Sequence, residues 1–324
     1  MKKIKIAIIG GGTGLAVLSR GLKKYPVDIS AIVSVADDGG STGIIRDQID
    51  MPAPGDIRNV MSALSDVESK LEHLFTYRFK KDEISGHSLG NLMLAAMYDI
   101  SGDFATAVSE LSKILNVKGT VIPSTNVSPK LAARMVDDSI IIGESYIPKV
   151  KKEIKQMYLI PTNIDATPAA VEAILAADII VLGPGSLYTS IIPNLLPKGI
   201  AEAVKESRGT KVYVSNLLEQ PGETMGMSAF DHLYAIEKHL KARVIDYVIL
   251  NEKDVYDEMA DTYKNRGVEI IRSERDKLEA HGVAVVTHDE LIIVDEERVV
   301  RHNNEKLAEI IYEIAIDESK TLEY

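Results

Sequence analysis

The chain has 324 residues and a mass of 35.5 kDa, with 45% hydrophobic and 26% charged residues. That is the composition of a globular protein, long enough for one large α/β domain or two ordinary ones. It holds no cysteine, which excludes disulfides, thiolate catalysis and cysteine-ligated metals. The net charge is −11, and the acidic excess lies at the end: residues 1–244 carry 27 basic and 27 acidic side chains, residues 245–324 carry 10 and 21. No concentrated basic run marks a nucleic-acid face. The acidic quarter reads as solvated surface, with an acidic docking surface as the alternative. No apolar run is long enough to span a bilayer. Met1-Lys2-Lys3-Ile4-Lys5 leads straight into a strand with no signal-peptide pattern, so a cytoplasmic protein is expected.

In chain order, strand-like runs alternate with helix-like ones, the pattern of parallel βαβ units. Lys3–Ile9 is a strand, Leu15–Lys24 a helix and Asp28–Val35 a second strand. From Asp56 to about Asn116 the signals are helical, broken at Gly86 and Gly102. Leu131–Val136 and Ile140–Glu144 flank Asp137-Asp138-Ser139, which predicts a β-hairpin. Gln156–Ile160, Asp178–Leu182, Lys211–Ser215, Ile245–Leu250 and Val283–Thr287 predict further strands of the parallel sheet. Thr167–Ala176, Ile200–Ser207, Ser228–Lys241 and Asn303–Ile316 predict helices. The near-continuous Val/Ile/Leu runs fit strands covered on both faces. With no repeat and no linker-like segment, the chain reads as one continuous α/β domain, residues 56–150 forming a helical insertion plus hairpin within it.

Four loops have the residues for ligand chemistry. Gly10-Gly11-Gly12-Thr13-Gly14 follows the first strand and opens a helix, where unpaired N–H groups and the helix dipole favour phosphate. Gly11, Gly12, Thr13 and Gly14 are the candidates there. Leu15 stands where the dinucleotide fingerprint needs its third glycine, which weakens a nicotinamide or flavin role. Asp37-Asp38-Gly39-Gly40-Ser41-Thr42-Gly43 ends the second strand. Asp37 and Asp38 are candidates for a divalent cation such as magnesium or for sugar hydroxyls, an Asx-type turn being the plainer alternative; Ser41 is a ligand candidate beside them. In Pro54-Gly55-Asp56-Ile57-Arg58-Asn59, Asp56 reads as a helix cap and Arg58 as able to reach an anion. Ser85-Gly86-His87-Ser88-Leu89-Gly90-Asn91 opens an apolar helix and offers Asn91, with His87 as readily structural as functional. No Ser/His/Asp spacing argues for a nucleophile. Leu182-Gly183-Pro184-Gly185-Ser186-Leu187-Tyr188-Thr189-Ser190 supplies Gly183, Gly185, Ser186 and Thr189, small donors suited to phosphate or ribose. Upstream, Asn163 and Asp165 are candidates for a base or sugar, Thr167 for a cap. Jointly these loops point to a nucleotide or other phosphorylated ligand, without naming the base or a reaction.

Taken together, Gly10–Gly14, Asp37–Gly43, Pro54–Asn59, Gly86–Asn91, Asn163–Pro168 and Gly183–Ser190 resemble the gluconeogenesis factor family, which is related to 2-phospho-L-lactate transferase, the enzyme that builds a deazaflavin cofactor. The similarity runs from Ile4 to about Ala315. It implies a Rossmann-like three-layer α/β/α fold with a mainly parallel sheet, in a cytoplasmic bacterial protein. It also implies UDP-sugar binding (UDP-N-acetylglucosamine is the type), and a need for the protein in normal cell shape and growth on gluconeogenic carbon sources. The transferase relatives use a guanosine-diphosphate-linked phospholactate donor and a divalent metal. Tyr263-Lys264-Asn265-Arg266-Gly267 and Arg301-His302-Asn303-Asn304 resemble the region that holds the UDP-sugar, making Tyr263 and Arg301 the implied contacts. Some members have Thr where this chain has Asn304, so phosphorylation at that place is excluded here. The expectation is therefore a regulator without catalytic residues, binding a UDP-sugar and contacting unidentified proteins of the cell-envelope synthesis machinery. No cofactor is assigned, magnesium and a homodimer stay open, and a phospholactate-type transferase is the alternative.

Overall fold

The computed structural model describes residues 3–67, 69–80, 85–252, 263, 267–295 and 298–321. β1 (Ile4–Gly10) sends Ile6 and Ile8 into one apolar cluster and Ala7 and Ile9 into another. A strand covered on both faces has no need to alternate with polar residues, which explains its continuous apolar run. α1 (Gly12–Leu22) returns the chain to β2 (Val27–Val33), parallel to β1 with Ile29 opposite Ile6. The helical middle follows as α2 (Gly40–Ile49), α3 (Gly55–Leu64), α4 (Ser69–Thr76), α5 (Leu89–Ser101) and α6 (Phe104–Ile114). Gly102 ends α5 in the left-handed region, at φ 70°, and the Asp103 carboxylate caps α6 by accepting from Thr106 N.

Two of the strands in residues 120–160 depart from the sequence reading. β3 (Thr120–Pro123) is a strand where none was expected, parallel to β2 at the sheet edge. Its apolar signal is only Val121-Ile122, too short for periodicity to register. The hairpin of β4 (Lys130–Met135) and β5 (Ile140–Ile142) forms as predicted, turning at Asp138 with φ 62°. β6 (Ile154–Ile160), expected in the parallel sheet, pairs antiparallel with the other edge of β4, so a three-stranded sheet β5-β4-β6 stands apart. Apolar composition marks a strand but not the sheet it joins.

α7 (Pro168–Ala176), β7 (Ile179–Leu182), a π-helical turn (Leu187–Ile191), α8 (Ile192–Leu195), α9 (Ile200–Glu206), β8 (Thr210–Val214), α10 (Ala229–Leu240) and β9 (Tyr247–Ile249) complete the βα alternation. Ser228 and Asp231 form a reciprocal capping box on α10. After a short helix (Arg275–Ala280) comes β10 (Ala284–Val286). Then β11 (Ile292–Val294) and β12 (Val300–His302) make an antiparallel pair, and a C-terminal helix (Asn304–Thr321) follows.

The main sheet has seven strands in the order β10-β9-β8-β7-β1-β2-β3, all parallel. The chain winds outward from β1 through β2 to β3, then crosses back to β7 on the other side of β1. That reversal opens a crevice at the carboxyl ends of β1 and β7, where open α/β sheets place their ligands. Among the described residues no helix is long and apolar enough to cross a membrane.

Candidate functional site

The loops after β1 and β7 meet in that crevice. Gly14 packs so tightly on the second loop that a Cβ there would lie 2.5 Å from the Pro184 carbonyl oxygen. Asn194 fastens the pair from below: its Nδ2 donates to Gly10 O at 2.8 Å and to Ser190 O at 2.7 Å. Gly11 at the N-cap of α1 has no side chain to cap the helix; the Asp56 carboxylate accepts from Gly12 N, and the later N–H groups of the first turn are left for a ligand. Residues 216–220 after β8 and residues 300–302 of β12 close the walls, enclosing about 420 Å³ with Gly11–Gly14, Pro184–Ser186 and Ser190. Gln220 donates to Ser186 Oγ at 2.6 Å. Arg301 donates through Nε to Asp295 Oδ2 at 2.5 Å, which orients its guanidinium at the cavity wall. His302 is pushed down to about 4 by burial and is neutral, contacting Ser215 O at 3.2 Å. The cationic side of the crevice is thus Arg301 with the α1 N-terminus.

A group of carboxylates adjoins the glycine loop. Asp37 Oδ1 accepts from Gly39 N at 2.8 Å, an Asx turn, and Asp38 Oδ1 accepts from Ser145 N at 2.8 Å, tying the start of α2 to the hairpin. Asp56, in the first turn of α3, lies where a Cβ on Gly11 would come within 2.5 Å of its Oδ2. Burial, and then the charge of Asp37, pushes Asp56 up to about 7. Burial also raises Asp37, takes Glu144 to about 8 with Asp37 and Asp38 adding to it, and takes Glu223 to about 7 although Thr189 hydrogen-bonds to it. Burial is the first cause in all four, and the charge of a neighbouring acid adds to it for Asp37, Asp56 and Glu144.

Beside them, the first turns of α2 and α5 meet. Ser41 Oγ lies 2.9 Å from His87 Nδ1, and Asn91 Nδ2 donates to the same oxygen at 3.4 Å. Arg58 of α3 is buried against Gly90.

Of the candidate residues, Gly11, Gly12, Thr13, Gly14, Gly185, Ser186 and Arg301 therefore share one cavity, and Gly183 begins its second loop at φ 86°. Asp37, Asp38, Ser41 and Asn91 lie in the adjoining polar groups. Thr189 faces Glu223 instead. Asn163 and Asp165 line a separate cavity of about 660 Å³ with Thr125 and Pro161. Thr167 occupies the N-cap position of α7, yet its hydroxyl donates to Pro123 O at 2.8 Å. Tyr263 is packed on Leu217 and Val300, its hydroxyl accepting from Val300 N at 2.9 Å. It thereby fixes the strand that presents Arg301. Lys264, Asn265 and Arg266 lie outside the described residues. Glu144, Glu223, Asn194 and Gln220 carried no local signal: each is a lone polar residue whose role comes from neighbours distant in sequence. A larger cavity of about 770 Å³ beside α10 shares Glu223, but its Lys152 and Lys155 are already paired with Asp137 and Asp138.

Residues 6–291 match the family described as 2-phospho-L-lactate transferase CofD. The Gluconeogenesis factor of Halalkalibacterium halodurans is 48% identical over 97% of this chain and 97% of its own. The Gluconeogenesis factor of Bacillus subtilis is 47% identical over 97% of this chain and 98% of its own. An X-ray crystal structure of a Bacillus halodurans protein, 48% identical, superposes with a TM-score of 0.93 over 96% of this chain and 100% of that one. With its parallel sheet, its glycine crevice and this near-complete similarity, the chain belongs to the gluconeogenesis factor family, within reach of the CofD transferases.

Proposed function

We propose that the chain binds a nucleoside diphosphate sugar, of the UDP-N-acetylglucosamine kind, in the crevice between β1 and β7, and acts as a ligand-dependent regulator. The observation that carries this reading is the convergence of the α1 N-terminus, the Ser186 and Ser190 hydroxyls, the Gln220 amide and the Arg301 guanidinium around one cavity. A diphosphate would meet N–H groups and a planar cation, and sugar hydroxyls would meet the amides and hydroxyls of the wall. The name of the relatives supports a role in gluconeogenic growth; the role in cell shape and envelope-precursor supply, through contacts with envelope-synthesis proteins, carries over from the resemblance.

A metal-dependent transferase of a phospholactate-like group from a guanosine nucleotide is the second reading, and Asp37 with Asp56 favours it. Neither is in ion-pair contact with a lysine or arginine among the described residues; burial raises both, and the charge of Asp37 raises Asp56 further. No group of three or more His, Asp or Glu among these residues is arranged to hold a metal ion. The pair would supply two carboxylate oxygens to magnesium, and phosphate oxygens and water the rest. Asp38 fits less well, because Ser145 N occupies its Oδ1. When bound, such an ion would polarise a phosphoryl oxygen.

A thermal-shift panel of UDP-sugars, GDP, GTP and NAD, each with and without magnesium, separates the readings. A ligand at a hundred times its Kd adds about 2.7 kcal/mol. Stabilisation by UDP-sugars without magnesium supports the regulator. Strict magnesium dependence, with product formed from a guanosine donor, supports the transferase.

A further inference from the structure

Arg58 is only 6% exposed, and its methylenes lie so close to Gly90 that a Cβ there would sit 2.8 Å from Arg58 Cδ. Its Nη2 donates to the adjacent Asn59 Oδ1 at 2.6 Å and its Nε has no partner; among the described residues no carboxylate is in ion-pair contact with it, and the more distant charge of Asp56 does not offset burial, which lowers Arg58 to about 10. A buried guanidinium without a counter-ion is costly to a fold unless something else completes it. A second unfinished group adjoins it. Asn91, next to Gly90 in the first turn of α5, is 1% exposed; its Nδ2 reaches Ser41 Oγ while its Oδ1 has no partner. Ser41 Oγ is also 2.9 Å from Nδ1 of His87, itself 8% exposed. Arg58 thus packs on the turn of α5 that carries the unpaired acceptor of Asn91, which in turn meets the Ser41–His87 pair.

We propose that Arg58, Ser41, His87 and Asn91 form a second oxyanion pocket, adjoining the carboxylates and distinct from the glycine crevice. The guanidinium calls for a phosphate or carboxylate oxygen. The free Asn91 Oδ1 calls for a donor on the same ligand, so the group is an oxyanion that also carries an O–H: hydrogen phosphate, or a hydroxylated carboxylate. It can arrive as a free second ligand or at the end of the group that a nucleotide carries. The pocket stands on these residues alone; the nucleotide reading of the crevice supplies only its neighbour.

The test uses the full chain in two calorimetric arms. One titrates inorganic phosphate into protein with and without saturating UDP, for the free ligand; the other compares UDP-glucuronate with UDP-glucose, for the carried group. A gain in either arm that falls tenfold or more in Arg58→Met, and also falls in Ser41→Ala, supports the pocket. Arg58→Met is expected to melt close to the parent without ligand, because the buried charge it removes has no ion-pair partner and its one side-chain hydrogen bond is to the adjacent Asn59. If it does not fold, Ser41→Ala decides. A phosphate gain with no binding of UDP supports this pocket while refuting the nucleotide crevice. Absence of gain in both arms overturns the pocket, as does equal affinity of the parent and Ser41→Ala.

Discussion

Replacing Asp56 by asparagine removes a charge that the fold holds against its preference. Burial and the neighbouring Asp37 raise this carboxyl from 3.8 to about 7. Well below pH about 4, both the folded and the unfolded chain keep the proton, and no penalty exists. Between about 4 and 7 the unfolded chain releases it first, so stability falls as pH rises; above about 7 the loss is complete. A shift of that size corresponds to about 4 kcal/mol. Asp56 is half-buried by its exposed area, and solvent screening brings the expected penalty to about 2–3 kcal/mol. Asparagine keeps the shape, and its Oδ1 can still accept from Gly12 N. Urea unfolding from about pH 4.5 to 8.5 is expected to show Asp56→Asn more stable than the parent at the alkaline end, the gap closing toward the acid end. Magnesium is expected to narrow the alkaline gap by stabilising the parent alone. A variant less stable than the parent at about pH 8, or a gap independent of pH, would refute the electrostatic argument.

Arg301→Ala is expected to weaken UDP-sugar binding about ten- to a hundredfold by calorimetry. Melting should barely change, since the Arg301–Asp295 pair is partly exposed, and Arg301→Lys should recover only part of the affinity, lacking the planar fork. Gly14→Ala is expected to cost about 1–3 kcal/mol in denaturant unfolding, because its Cβ must displace the Pro184 backbone. Asn194→Leu leaves the Gly10 and Ser190 carbonyls without their donor. It is expected to lose about 2 kcal/mol or more and to weaken ligand binding, although Asn194 does not line the cavity.

The βα alternation and the two glycine loops were legible because their causes are local: continuous Ile/Val runs for doubly covered strands, glycine where backbones touch. Gly12 shows how far such reading goes. Its φ of 65° means that Gly12→Val would strain the backbone as well as block phosphate, which spacing alone does not reveal. What was not legible depends on pairing across the fold. The edge of β4 captures β6, four residues of β3 find β2, and Glu144 enters the field of Asp37 from more than a hundred residues away. Arg58 and Asn91 were visible as residues, but only packing shows that each is left with an unpartnered atom.

On the proposed reading, the crevice between β1 and β7 receives a nucleoside diphosphate sugar. Calorimetric titration of UDP-N-acetylglucosamine into the parent and into Arg301→Ala, each without and with magnesium, tests it most directly. Saturable one-site binding to the parent without magnesium is expected, weakened at least tenfold by the substitution. No heat of binding in the parent, or equal affinity in the two proteins, would contradict it.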